Sequence, residues 1–203
     1  MYTHIIWDFD GTLFDTYPVM SGVFMDMLEE IGYHEPQEDI LRNMKVSLSY
    51  NMQVYSKKYH ITPSFVQDFW QRSREAEVKY CKPYPGIEEI CRYIVESGRY
   101  NYVYTHRGET ALQFLKDFQL YDYFRDFITS QSGFPRKPDP EALHYLIGKY
   151  DMKPEEALMI GDREIDIQAA VNAGIHTCFF READAYVEAD HVILTFDQVK
   201  DLI

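Results

Sequence analysis

The chain has 203 residues, 46% of them hydrophobic and 16% aromatic, enough to bury one large core and a smaller second one. Its formal net charge of −13, with no basic stretch to offset it, argues against nucleic acid and anionic membrane surfaces as partners. An anionic ligand would have to be met by a few local Lys or Arg side chains or by a metal ion. Cys81, Cys91 and Cys178 are an odd set without CxxC spacing, which fits buried small hydrophobes better than zinc ligands or a disulfide framework. No basic stretch followed by an apolar run opens the chain, and no run approaches the ~20 apolar residues of a membrane helix, so the expected location is cytoplasmic.

In chain order, Ile5-Ile6-Trp7 reads as a buried strand, followed at once by Asp8, Asp10 and the turn pair Gly11-Thr12. From about Pro18 to Lys82 the pattern becomes helical. Val23, Phe24, Met27, Leu28 and Ile31, and later Phe65, Phe69 and Trp70, fall at core spacing, with turn signals at Gly32 and Ile61-Thr62-Pro63. The expected division is therefore a helical insertion over residues 16–82 in a core built from 1–15 and 83–203. Within the insertion, Arg42, Asn43 and Lys45 read best as a solvated helix face. Pro85 fits the first turn of a helix carrying Ile87, Ile90, Cys91, Ile94 and Val95, with Gly98 as its stop.

Tyr102-Val103-Tyr104 reads as the next strand and ends at Thr105, and Phe127-Ile128 as another, followed by a loop holding Lys137 between Pro135 and Pro138. Asp139 and Pro140 open a helix with Leu143, Leu146 and Ile147. Leu158-Met159-Ile160 leads to Asp162 and Asp166, a helix from about Ile165 to Ala173 stopped by Gly174, and a last strand from Thr177 to Phe180. Strands alternating with helices predict an α/β fold with a covered parallel sheet, and such sheets bind ligands beyond the carboxyl ends of their strands. Asp8, Asp10, Thr105, Lys137, Asp162 and Asp166 all fall there.

Asp8 and Asp10 straddle one side of a tight turn where Gly11 lets the backbone approach a ligand. Asp162 and Asp166, four apart at a helix start, are expected to share a face. Brought together, these carboxylates would repel by about 4 kcal/mol per pair at 4 Å and an effective dielectric of 20. Hard oxygen donors of this kind suit Mg²⁺. Lys137 would supply positive charge, and Thr105 a hydroxyl together with the following backbone N–H.

Taken together, DFDGTLFDT at Asp8 to Thr16, YTHRG around Thr105, RKPDPEAL around Lys137 and GDREID at Gly161 to Asp166 resemble the haloacid dehalogenase-like hydrolase superfamily. The resemblance spans nearly the whole chain and is nearest the phosphoglycolate phosphatase and β-phosphoglucomutase-like branch. It implies a doubly wound Rossmann-like sheet with the helical insertion as a cap, and a Mg²⁺-dependent phosphatase acting on a small phosphorylated metabolite; monomer and homodimer both stay open. Asp8 would be the nucleophile and Asp10 the acid/base. The Asp8 and Asp162 carboxylates and the Asp10 carbonyl would bind the metal, with Asp166 holding a metal-bound water or the site around it. Thr105, the His106 amide and Lys137 would hold the phosphate.

The second motif departs from the family, where Asn often follows the Ser/Thr; this chain has His106 and Arg107. One of them is expected to contact the rest of the substrate, through Arg107 if that part is a second anionic group, while a structural His106 bonded to a nearby carbonyl is the competing expectation. A phosphosugar mutase would share every core residue. A 2-haloacid dehalogenase would need neither Asp10 nor the acidic pair, and a silent binding protein would not need the intact set.

Overall fold

The computed structural model describes residues 1–180 and 187–203. The chain divides into two compact units, Met1–Phe14 with Pro83–Ile203, and Asp15–Lys82. The first border falls one residue earlier than the sequence suggests, because the tight turn after the first strand closes at Phe14.

The larger unit is built on strands β1 (His4–Trp7), β2 (Tyr100–Tyr104), β3 (Phe124–Ile128), β4 (Ala157–Gly161), β5 (His176–Phe180) and β6 (His191–Ile193). They form one parallel sheet in the order β3-β2-β1-β4-β5-β6. The strand order reverses across β1, whose neighbours β2 and β4 leave a crevice at their carboxyl ends. Helices cover both faces, which is why the central strands are near-continuously apolar. Side chains alternate between faces. Ile6, Tyr102, Tyr104 and Met159 pack with Leu143, Leu146, Ala169 and Ala170 on one side. On the other, Trp7 and Asn101 face the helix that carries Cys91, since Trp7 Nε1 donates to Asn101 Oδ1 (2.9 Å) and Asn101 Nδ2 to the Cys91 carbonyl (3.0 Å). Each aliphatic side chain buried in these layers contributes about 1.5–3 kcal/mol.

In the smaller unit, helices α1 (Tyr17–Glu30), α2 (Gln37–Val46), α3 (Leu48–Lys58) and α4 (Pro63–Tyr80) pack around Phe24, whose ring meets Tyr55, Phe65 and Phe69 at centroid distances of 5.3, 5.5 and 5.4 Å. Ser47 and Thr62 cap α3 and α4 by accepting from the Tyr50 and Phe65 amides. Ile31 and Trp70, expected in this core, are exposed instead. Ile31 follows the last turn of α1, and Trp70 lies one position (about 100°) round α4 from the buried Phe69. Arg42 is also exposed and pairs with Asp39 (2.8 Å).

The remaining helices are α5 (Ile87–Glu96), α6 (Thr110–Asp117), α7 (Glu141–Tyr150) and α8 (Glu164–Ala173). Pro85 sits in the turn ahead of α5 rather than in its first turn, because Gly86 takes φ +89° as the helix N-cap, and Val95 is exposed. The short α6 and the three-residue β6 escaped the sequence reading. Among the described residues no helix is long and apolar enough to cross a membrane. Cys81, Cys91 and Cys178 are buried and form no disulfide among the described residues, and burial raises the Cys178 thiol to about 12.

Candidate active site

Register places the chemistry. Trp7 pairs with Val103 on one side and Ile160 on the other, so Asp8, Thr105 and Asp162 emerge together at the carboxyl edge of the sheet. The chain then turns sharply: the Phe9 carbonyl accepts from the amides of Thr12, Leu13 and Phe14, and Gly11 adopts φ +81°, a conformation costly for a residue with a side chain. This turn carries the Thr12 hydroxyl to within 3.1 Å of Asp162 Oδ1, to which it donates.

Asp8 is 1% exposed. Its Oδ1 accepts from Lys137 Nζ at 2.6 Å, while its buried Oδ2 accepts no hydrogen bond among the described residues and lies 3.5 Å from Arg163 Nη2. Lys137 is also buried, at 5%, unlike most loop lysines, which stay solvated. Its ammonium also donates to Asp166 Oδ1 (2.7 Å) and lies 4.5 Å from the centre of the Tyr104 ring. Burial disfavours the charged lysine, but the Asp166 and Asp8 carboxylates outweigh it and hold its pKa above the ordinary value.

Asp162 and Asp166 do not share a helix face as expected. Helix α8 begins at Glu164, so Asp162 lies in the β4–α8 turn, and Asp166 folds back to accept from the Arg163 N-cap amide (3.1 Å). Asp8, Asp162 and Asp166 nonetheless each offer an oxygen within 4.8 Å of the others. Desolvation, then repulsion by Asp166, pushes the Asp8 carboxyl up despite Lys137 and Arg163. Desolvation also drives Asp162 well above the usual carboxylate range, with Asp8 and Asp166 adding to it. Asp166 goes the other way: burial opposes its charge, but Lys137 and Arg163 overcome that and hold it below the usual range. A cluster of hard oxygen donors that repel one another, with a buried carboxylate oxygen lacking a hydrogen bond, fits a Mg²⁺ ion.

The second motif is placed differently from the expectation. Arg107 is turned onto Asp10, with Nη2 at 2.6 Å and Nε at 3.1 Å from Oδ1, and its guanidinium carbon lies 5.5 and 5.7 Å from the Phe9 and Phe114 ring centres. Its backbone amide donates to the Thr105 hydroxyl (3.0 Å), which leaves the hydroxyl proton for another acceptor. Among the described residues His106 bonds no carbonyl through its ring: Nε2 accepts from the Lys137 amide at 2.8 Å, and Nδ1 lies 3.0 Å from Arg136 Nη2. Burial, and after it the Lys137, Arg136 and Arg163 charges, lower its pKa to about 3, so the ring is neutral.

Residues 5–180 match the model of the haloacid dehalogenase-like hydrolases. The chain belongs to this family. It is 28% identical to phosphoglycolate phosphatase of Vibrio vulnificus YJ016, over 84% of this chain and 79% of the relative. It is also 28% identical to pyrophosphatase PpaX of Bacillus cereus ATCC 10987, over 98% and 94%. A family hydrolase from Deinococcus radiodurans R1, solved with bound phosphate and sodium, superposes with a TM-score of 0.83 at 16% identity, covering 99% of this chain and 94% of that one. As a haloacid dehalogenase-like hydrolase the chain is an enzyme, with the α/β fold the sequence implied. Three site residues were not singled out from sequence: Thr12, Arg163 and Tyr104. Arg163 stands inside the quoted GDREID motif, and a basic residue set between Asp162 and Asp166 was the signal available; Thr12 and Tyr104 become visible only through register.

Proposed function

We propose that this enzyme is a Mg²⁺-dependent phosphatase that hydrolyses a small phosphate monoester through an aspartyl-phosphate on Asp8. The observation that carries the reading is the state of Asp8, buried at the strand end with one oxygen held by Lys137 and the other without a hydrogen bond, beside Asp162. The names of the curated relatives, phosphoglycolate phosphatase and pyrophosphatase PpaX, support phosphoryl chemistry.

Asp8 attacks phosphorus, forming a carboxylate–phosphorus bond as the bond to the leaving oxygen breaks, and Asp10 gives that oxygen its proton. Asp10 then takes a proton from water, whose oxygen attacks the phosphorus and releases inorganic phosphate and the Asp8 carboxylate. Arg107, bidentate on Asp10, fixes the acid/base carboxylate in orientation. Thr105, the His106 amide and Lys137 hold the phosphate oxygens, and Lys137 orients Asp8. The Asp8 and Asp162 carboxylates and the Asp10 carbonyl would hold Mg²⁺. Asp166, both of whose oxygens are hydrogen-bonded, steadies the site around it. When bound, the ion supplies positive charge that offsets the repulsion between an anionic nucleophile and a phosphate. Three buried thiols outside any disulfide among the described residues support a reducing, cytoplasmic setting.

The test is hydrolysis of p-nitrophenyl phosphate with Mg²⁺ and with chelator. Asp8→Asn is expected to lower kcat by at least about 10³-fold, and Asp10→Asn by about 10²–10⁴-fold. Activity surviving in Asp8→Asn would sink the proposal. With a phosphosugar, release of free phosphate supports a phosphatase, whereas accumulation of an isomer indicates a mutase.

A further inference from the structure

The contacts of His106 contain a mismatch that points to a ligand. A neutral imidazole has one lone pair in its ring plane and one N–H. Nε2 faces the backbone amide of Lys137 at 2.8 Å, and Nδ1 faces the Arg136 guanidinium at 3.0 Å; both neighbours can only donate. The Lys137 amide is fixed by the chain, so the lone pair belongs on Nε2 and the proton on Nδ1. Two N–H groups, one of them cationic, then converge with no acceptor between them among the described residues. The opposite tautomer moves the conflict to the Lys137 amide, and a protonated ring makes it worse by adding charge. In every protonation state the cluster has at least one donor too many. Arg136 is exposed and makes no ion pair among the described residues.

An anionic oxygen placed there would accept from both groups at once. Its position says whose oxygen that is. His106 follows Thr105 and Arg136 precedes Lys137, so the two donors stand one residue away from the two side chains assigned to the transferred phosphate. Arg107, the other basic side chain of the second motif, is committed to Asp10.

We propose that His106 Nδ1–H and the Arg136 guanidinium form a subsite for a second anionic group, a carboxylate or a phosphoryl group, carried by the substrate beside the phosphate that is cleaved. This deepens the phosphatase reading and rests on it. It makes the preferred substrates small phosphate esters or anhydrides with a second negative charge a few bonds from the reacting phosphorus.

Non-hydrolysable phosphonates separate this subsite from turnover. The affinities of 3-phosphonopropionate, which carries a carboxylate, and of propylphosphonate, which does not, are measured by calorimetry in the presence of Mg²⁺ for the full chain and for Arg136→Gln. The expected result is a preference of at least about tenfold for the carboxylate in the native protein, worth one charge-assisted hydrogen bond, that collapses in Arg136→Gln. Arg136→Lys is expected to keep part of it. Equal affinities in the native protein, or an equal loss for both compounds in Arg136→Gln, would overturn the subsite. So would tighter binding of propylphosphonate on adding free propionate, since the place would then serve a separate anion. Failure of the phosphatase reading shows elsewhere, as p-nitrophenyl phosphate hydrolysis that persists in Asp8→Asn.

Discussion

Gly161 shows how closely the acidic end of the site is packed. A methyl group added there would sit 2.4 Å from Asp166 Cβ and 2.7 Å from its Cγ, far inside contact distance. Asp166 cannot easily yield, because Lys137 Nζ holds one of its oxygens and the Arg163 amide the other. Gly161→Ala is therefore expected to cost about 1–3 kcal/mol in urea unfolding, the usual range for overpacking, and to lower phosphatase activity by displacing Lys137. At Gly108 an added methyl meets nothing nearer than 3.6 Å, so Gly108→Ala is the matched control and should unfold at nearly the native midpoint. Equal midpoints for the two variants would show that Asp166 has more freedom than its contacts imply. The residue types of the candidate site were legible in the sequence because carboxylates, a threonine and a lysine recur at strand ends. The partners that Arg107 and His106 choose were not, since Asp10 and Lys137 lie 97 and 31 positions away from them along the chain.

Among the elements, β2 explains both what periodicity reveals and what it misses. Its apolar stretch Tyr102-Val103-Tyr104 is readable as a buried strand, yet the strand begins at Tyr100 and includes Asn101, which is fully buried. A polar residue there lowers the apolar signal, and only the fold supplies its justification. Asn101 accepts from Trp7 Nε1 (2.9 Å) and donates to the carbonyls of Cys91 (3.0 Å) and Tyr123 (3.2 Å), tying β1, α5 and the turn before β3 to one side chain. Replacing it with the similarly sized Leu leaves a buried donor and two carbonyls without that partner. Asn101→Leu is expected to cost about 2–4 kcal/mol, measured as a shift of the urea midpoint at constant slope. A neutral result would mean that solvent or local rearrangement satisfies those groups. Length accounts for α6 and β6: α6 does bury Ala111, Phe114 and Leu115 at helical spacing, but eight residues give only two turns of that pattern and the three residues of β6 give none.

For the whole molecule, 33 acidic against 20 basic side chains leave a charge of −13, and any salt will stabilise such a chain by screening its self-repulsion. A rise in Tm with MgCl₂ therefore has two sources, which NaCl at equal ionic strength separates. A specific ion that binds only the folded state adds RT ln(1 + [Mg²⁺]/Kd), about 2.7 kcal/mol at a hundred times Kd. For a chain of this length each kcal/mol moves Tm by about 2–4 °C, so the expected excess over the NaCl control is about 5–10 °C. Asp8, Asp162 and Asp166 all lie in the larger of the two compact units, so where two transitions resolve, only the one belonging to that unit should move. Asp162→Asn is expected to keep the screening part and lose the excess. A Tm that follows ionic strength alone in the native protein would remove the metal site from the proposed chemistry. An excess that survives in Asp162→Asn would move the ion to other ligands.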